Sequence, residues 1–349
     1  METARLTVII PTFRRPGYLK KALQSVLDQD YTDFEVRVFD NASGDETSSV
    51  VAGFAQNDPR VQYHCHAANI GARANFLFGL RQVKTPFFCF LSDDDLMLQG
   101  FLAEAMQGFA THSLALFSGL QTLNIDENDR VWGIMGKTWP AGYYAGDSGI
   151  RAFCEHGHLI WTGVVFAADA KEDFAALMEK YEVVSDLAIE FSLALRGPFV
   201  VAARPGAAFR THSSSYSQMS FNLVADQTAE MIDAVIHQTR FDVFRKAEIA
   251  KAVKNRLYPI VMGMWHQFII ANTEPGPALT YLAWVRDWRR KALMSIDRKM
   301  FVIGSIVRIA SLTPISYRVL RRACALRYGK PPQGGVAEEL EKLQLLLKP

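Results

Sequence analysis

Phe87-Phe88-Cys89-Phe90-Leu91-Ser92-Asp93-Asp94-Asp95 carries five consecutive apolar residues almost straight into three carboxylates. The apolar part reads as a strand covered on both faces, which is the pattern of a parallel sheet. The acids then fall at the strand's carboxyl end, where open α/β sheets bind ligands. Adjacent carboxylates repel one another and need a cation or hydrogen-bond donors close by. A hard divalent ion carrying phosphate oxygens meets that need. So does a solvated acidic turn capping the next helix, expected over about residues 98–109. The stretch alone admits both readings.

On the amino-terminal side, Leu6-Thr7-Val8-Ile9-Ile10 is a β-branched run stopped by Pro11. Thr12-Phe13-Arg14-Arg15 follow as a loop, and Pro16 suits a first helical turn. Leu19, Leu23, Val26 and Leu27 then keep helical spacing. Phe34 to Phe39 is a second strand, ending in Asp40-Asn41-Ala42-Ser43-Gly44-Asp45. Val50, Val51 and Phe54 mark a helix, Val61 to His64 a weaker strand, Asn69-Ile70-Gly71 a turn, and Ala74 to Val83 another helix. Strands alternating with helices at this spacing predict βαβ units and a parallel sheet. No G-x-G-x-x-G follows the first strand, which argues against a dinucleotide fold. Gly133-Ile134-Met135-Gly136-Lys137-Thr138 has two residues between its glycines where a phosphate loop needs four.

The chain has 349 residues, 49% hydrophobic and 21% charged, with net charge +2. These values fit a folded globular protein and give no sign of a nucleic-acid partner. Cys65, Cys89, Cys154 and Cys324 lie far apart and match neither a zinc site nor a disulfide framework. A cytoplasmic setting is the expectation. The N-terminus does not read as a signal peptide. Neither Tyr258–Ala271 nor Met300–Ile315 gives the roughly 18 apolar residues of a spanning helix.

Further along, Leu114 to Gly119 and Val131 to Trp132 read as strands around a polar turn at 126–129. His156-Gly157-His158 is a metal pair or a run of plain surface or ligand-site residues in a glycine-containing loop. Trp161-Thr162-Gly163 leads a strand to Phe166, and Trp161 suits either a sugar-stacking platform or the core. Leu187, Phe191 and Leu195 keep helical spacing, with Ser185 or Asp186 as the cap. Pro198 to Val201 and Pro205 to Arg210 are strands broken at Arg204.

The order Val-Ile-Ile-Pro-Thr-Phe-Arg-Arg, Asp-Asn-Ala-Ser-Gly-Asp, Asn-Ile-Gly and Leu-Ser-Asp-Asp-Asp, over about residues 5–215, resembles family 2 glycosyltransferases of the GT-A fold. The resemblance implies a mixed, mainly parallel Rossmann-like sheet flanked by helices. It also implies a nucleoside-diphosphate-sugar donor, a divalent metal (Mn2+ or Mg2+) and inversion at the anomeric carbon. It assigns donor binding to Pro11, Thr12, Phe13, Arg14, Asp40, Asn41, Asn69, Gly71, Arg73 and Asp93, and metal binding to Asp94, Asp95 and His212. Asp93 reaches either the ribose or the metal, and His212 either the metal or the diphosphate. Arg210 is a candidate to neutralise phosphate. Asp186 is the expected general base, with Glu190 one turn later as its substitute, and Trp161, Gly163 and Glu190 face the acceptor.

The departures are Asn41, where many members carry an acid that contacts the base, and Ser92 and Ser185, where acids are frequent. Uridine or thymidine donors are the first expectation. A saccharide or lipid-linked saccharide is the expected acceptor, with a role in surface polysaccharide synthesis. The alternatives are a nucleotidyltransferase and a non-catalytic nucleotide-sugar-binding subunit.

From about residue 221 the pattern becomes helical and Pro-punctuated, predicting a catalytic domain at 1–220 and a helical region at 221–349. Residues 286–330 mix Arg and Lys with Trp288, Phe301, Ile303 and Ile306. That mixture suits a peripheral contact with the inner face of an anionic membrane, or a solvated helix face. Glu338 to Leu347 reads as a short helix suited to pairing with a second copy in a homo-oligomer.

Overall fold

The computed structural model describes residues 5–135, 138–181, 185–211 and 336–347, with a few residues near 227–231 and 318–322. The chain divides into two compact units, residues 1–212 with 338–349, and residues 213–337. Among the described residues no helix is long and apolar enough to cross a membrane. The basic 286–330 segment and His212 lie outside the described residues.

The first unit alternates strand and helix as the apolar runs predict. Its first part comprises β1 (Leu6–Thr12), α1 (Pro16–Leu27), β2 (Phe34–Asp40), α2 (Thr47–Ala55), β3 (Val61–Cys65), α3 (Ala72–Arg81) and β4 (Phe87–Phe90). Next come β5 (Leu96–Met97), α4 (Phe101–Thr111), β6 (Phe117–Ile125), β7 (Val131–Ile134), β8 (Gly142–Tyr144) and α5 (Gly146–His156). A 3-10 turn at Trp161–Gly163 leads into β9 (Val164–Ala167), then α6 (Lys171–Lys180), α7 (Ser185–Arg196), β10 (Phe199–Arg210) and α8 (Val336–Leu345).

The strands form a ten-stranded sheet ordered β3-β2-β1-β4-β9-β6-β10-β5, with β7 on β6 and β8 on β10. β1 runs parallel to both β2 and β4, whereas β9 is antiparallel to β4 and to β6. Winding proceeds outward from β1 through β2 to β3, then returns to β4 on the other flank of β1. That reversal makes the carboxyl ends of β1 and β4 the switch point, where a crevice opens.

β1 is buried throughout because it is central and covered on both faces. Leu6, Val8, Ile9 and Ile10 are inaccessible to solvent, each worth roughly 1.5–3 kcal/mol of burial. α1 starts at Pro16 and buries Leu19, Ala22, Leu23 and Val26 against this core, the spacing expected of one apolar stripe.

Three elements differ from the sequence expectation. β6 extends to Ile125, because its polar Ser118, Gln121, Thr122 and Asn124 are buried in the sheet rather than ending it. The two runs around Arg204 form one strand, β10, whose register against β6 shifts between Ala202 and Ala207. A bulge of this kind absorbs Pro205 within a strand. Trp161–Gly163 is a 3-10 turn and the strand begins at Val164. At Gly163 a Cβ would meet the Leu120 carbonyl at 2.8 Å, so glycine there permits close packing on β6.

α8 forms where a short helix was expected, and within this chain some of its side chains pack on the rest of the first unit. The Gln344 amide accepts from Val131 N at 2.7 Å and donates to Asp129 O at 2.9 Å. Leu343 and Leu347 pack on Leu98, Leu123, Ile125, Val131 and Ala208.

Candidate active site

The β1–α1 loop and the β4–β5 turn meet at the switch point. Asp93 Oδ2 accepts from Thr12 Oγ1 at 2.8 Å and from Phe13 N at 3.3 Å. A single nitrogen of Arg15, Nη1, lies 3.2 Å from Asp93 Oδ1 and 2.6 Å from Asp94 Oδ2. Burial first, and then the charge of Asp94, push the Asp93 carboxyl up to about 6, against the pull of Arg15, Thr12 and Phe13.

Asp95 points the other way. It is fully buried, accepting from Thr162 Oγ1 at 2.6 Å and from Arg210 N at 2.9 Å. Burial raises its pKa well above the usual carboxylate range. Its carboxylate anchors the turn to β10 and to the Trp161–Gly163 segment, so the expectation of a metal ligand passes from Asp95 to its neighbours. Arg210 is buried as well. Its Nε donates to Asp94 O and its Nη1 to Asp126 O, both at 2.7 Å, while Nη2 pairs with Asp129 Oδ1 at 2.6 Å. This guanidinium braces the acidic turn from behind, and the structure gives it that part instead of phosphate neutralisation.

On the β2 side, Asp40 Oδ1 accepts from Ser43 N and Oγ, and Oδ2 accepts from Tyr63 OH at 2.6 Å. Asn41 is 3% exposed. Its Oδ1 accepts from Ile70 N at 2.8 Å and its Nδ2 donates to Asn69 Oδ1 at 2.9 Å. Asn69 Oδ1 also accepts from Gly71 N at 2.8 Å. An aspartate at 41 would face that acceptor with another acceptor. The amide thus has a structural reason, and both its ends are taken up by the β3–α3 loop.

Arg14 turns away from the acids. At φ 54° it donates from its backbone N to Ser43 Oγ at 2.8 Å. Arg73 reaches the Glu179 carbonyl at the end of α6, at 3.4 Å on the surface. Neither is brought to the carboxylates, whereas Arg15, not singled out in the sequence, is. The available signal was its place before Pro16, which fixes it as the residue leading into α1.

Ala42 adopts φ 59°, a left-handed conformation, in the loop after β2. A Cβ costs about 1–2 kcal/mol there. Ala42→Gly is therefore expected to stabilise the fold by ~1 kcal/mol, read as a raised melting temperature. An unchanged or lowered temperature would show that the loop does not carry that strain.

The second group of carboxylates sits on α7. Asp186 Oδ2 lies 3.5 Å from His158 Nε2. Glu190 is fully buried, with Oε2 accepting from Leu159 N at 2.8 Å. It fastens the 157–160 loop to α7 and does not face an acceptor, so its expected acceptor and substitute-base roles give way to a structural one. Residues 158 to 162 link the two groups, since His158 touches Asp186 and Thr162 touches Asp95. Their Cα atoms are at most about 14 Å apart. Trp161 is stacked on Phe76 at 5.0 Å and lies near-parallel to Phe174 at 6.3 Å. It is partly buried, and its ring joins the aromatic cluster of Phe76, Phe90 and Phe174.

Glu190 gives a pH signature. Burial, then the charge of Asp186, raise its pKa well above the usual value. A raised folded pKa means that its stabilising share is complete below the unfolded pKa, about 4.3, and is lost as pH rises through the folded value. Glu190→Gln should match the native protein in acid and exceed its melting temperature by a margin that widens toward neutral pH. Parallel stability curves would contradict this.

The residues at the switch point fit a divalent cation. The donors are hard carboxylate oxygens on two adjacent side chains, Asp93 and Asp94, that are 8% and 12% exposed. Among the described residues no three His, Cys, Asp or Glu side chains converge. Magnesium-type sites commonly take one or two carboxylates and complete their shell with phosphate oxygens and water.

A mainly parallel sheet with acids at its switch point is the frame of the nucleotide-sugar-binding GT-A fold. Residues 7–165 match the profile of Glycosyl transferase family 2. The GalNAc(5)-diNAcBac-PP-undecaprenol beta-1,3-glucosyltransferase of Campylobacter jejuni is 40% identical over 104 residues, 30% of this chain and 34% of that protein. Glycosyltransferase GlyA of Streptococcus pneumoniae is 29% identical over 98 residues, 28% of this chain and 14% of GlyA. The matches thus span about a third or less of these relatives. S. aureus TarS 1-349 in complex with UDP-GlcNAc superposes with a TM-score of 0.63 at 15% identity, over 93% of this chain and 92% of that one. The mannosyltransferase PcManGT of Pyrobaculum calidifontis, in complex with GDP-Man and Mn2+, gives 0.52 at 15% identity, over 94% and 88%. At that identity the likeness is one of fold.

Proposed function

We propose that this protein is a metal-dependent inverting glycosyltransferase. It moves a sugar from a nucleoside-diphosphate sugar, with a uridine or thymidine donor the first to test, to a saccharide or lipid-linked saccharide. The observation that carries the reading is the adjacent Asp93–Asp94 pair, bridged by Arg15, at the β1–β4 switch point of a domain that matches the family 2 profile. A bound divalent ion, held by Asp94 with Asp93 beside it, supplies Lewis-acid stabilisation of the leaving diphosphate.

The chain's own groups do the rest. Thr12 and the Phe13 amide hold Asp93 in place. Arg210 and Thr162 lock Asp95, and through it the turn that presents Asp94. Asp186 takes the proton of the acceptor hydroxyl as that oxygen attacks the anomeric carbon from the face opposite the nucleotide. His158 sits against the same carboxylate and orients it. The domain limits at about residue 220, the membrane-facing role of residues 286–330 and the metal part of His212 belong to the same proposal.

The test is a panel of UDP-, dTDP- and GDP-sugars with Mn2+, Mg2+ or chelator, following binding and nucleotide release. Metal-dependent release from one donor supports the reading. Absence of binding by every member, with and without metal, sinks it. Pyrophosphate release from a triphosphate would favour a nucleotidyltransferase.

A further inference from the structure

We propose that Arg15 is a resident counter-cation of the acidic pair, exchanged for a divalent ion when the donor binds. The inference rests on the reading of Asp93 and Asp94 as the donor site. In the structure one guanidinium nitrogen, Nη1, bridges the two carboxylates at 3.2 and 2.6 Å. The strong form of an arginine–carboxylate contact is a fork, with two parallel bonds to one carboxylate. Arg15 does not use it here, and its one nitrogen acts as a point cation shared by two acids. The side chain is 32% exposed, while those of Asp93 and Asp94 are 8% and 12% exposed. The partner that can leave is therefore the guanidinium.

Charge balance gives the direction of exchange. A divalent ion in place of the guanidinium brings one more unit of positive charge to the two carboxylates. The displaced arginine then stands at the first turn of α1, beside the diphosphate that the ion carries. Its planar fork matches phosphate oxygens better than a lone bridging nitrogen matches two acids. Arg15 so has a partner in both states, and the acids are never left without a cation. The consequence is that metal alone binds weakly, because it must displace Arg15 with nothing to receive it. Metal with a diphosphate binds well.

The test is Mn2+ binding to the native protein, Arg15→Gln and Arg15→Lys, by electron paramagnetic resonance of free Mn2+, alone and with UDP or GDP. Removing a cation a few ångströms from the acids is expected to tighten binding of Mn2+ alone by about tenfold. In Arg15→Gln the gain on adding diphosphate should shrink. Arg15→Lys keeps the competing charge and should bind Mn2+ alone as the native chain does, with a weaker response to diphosphate. A purely structural arginine predicts loss of both kinds of binding in Arg15→Gln, and that result overturns the proposal. So does Mn2+ binding that is equal in all three proteins. Failure of all three to bind Mn2+ even with UDP or GDP would remove the donor-site reading itself, an outcome distinct from unaltered, diphosphate-dependent binding.

Discussion

Asp186→Asn is expected to lower turnover by about 10²–10⁴-fold, the usual contribution of a general base, while donor affinity is unchanged. The separation follows from position. Asp186 stands in the first turn of α7 and its side chain meets His158. The proposed donor contacts lie at and just after the ends of β1 and β4, with Arg15 and Thr12 around Asp93. Asparagine keeps the size and the hydrogen bonding of the cap but cannot take a proton. The measurement is kcat and donor affinity for native and variant proteins with the donor that the panel identifies. A loss of turnover below tenfold would move the base elsewhere. A matching loss of donor affinity would mean that the substitution disturbs the fold of the site.

Arg210→Met carries the largest expected loss of stability, about 3–5 kcal/mol, as for breaking one side of a buried ion pair. The guanidinium is fully buried and satisfies the carbonyls of Asp94 and Asp126 while pairing with Asp129. Methionine fills the volume and satisfies none of them. For a unit of this size the melting temperature should fall on the order of 10 °C. The same substitution should weaken donor binding in the protein that remains folded, because Asp94 loses the brace on its own carbonyl. A shift of melting temperature under about 2 °C in Arg210→Met would show that the network is not a support.

The parallel half of the sheet was legible because each of its strands is an apolar run ended by a turn residue. β1 and β4 advertise burial on both faces, β2 alternates Phe34, Val36 and Val38 with Glu35 and Arg37, and the helices between them keep one stripe. β6 was legible only at its start. Its Gln121, Thr122 and Asn124 are buried polar residues, and alternation cannot distinguish them from a loop. The acids were legible as a group but not individually. Which of three adjacent carboxylates faces the crevice depends on the turn at Ser92–Asp95 and on Thr162 and Arg210, residues far away in sequence. The two adjacent arginines pose the same problem. The left-handed backbone of Arg14 sends its amide and its guanidinium to Ser43, and the next residue is the one that meets the acids. Glu190 looked available one turn from Asp186, but helical spacing says nothing about what covers it.

The clasp between Gln344 and the β6–β7 turn joins residues 213 and 215 positions apart. A ribosome adding about 5–20 residues per second takes roughly 10–40 s to cover that interval. Until then Leu98, Leu123, Ile125, Val131 and Ala208 lack the Leu343 and Leu347 side chains that cover them. The turn bearing Asp129, which pairs with Arg210 behind the acids, waits with them. The nascent chain thus holds an open apolar edge through the whole synthesis of residues 132–343. Transiently exposed apolar surface of this kind is what makes an incomplete chain prone to aggregate.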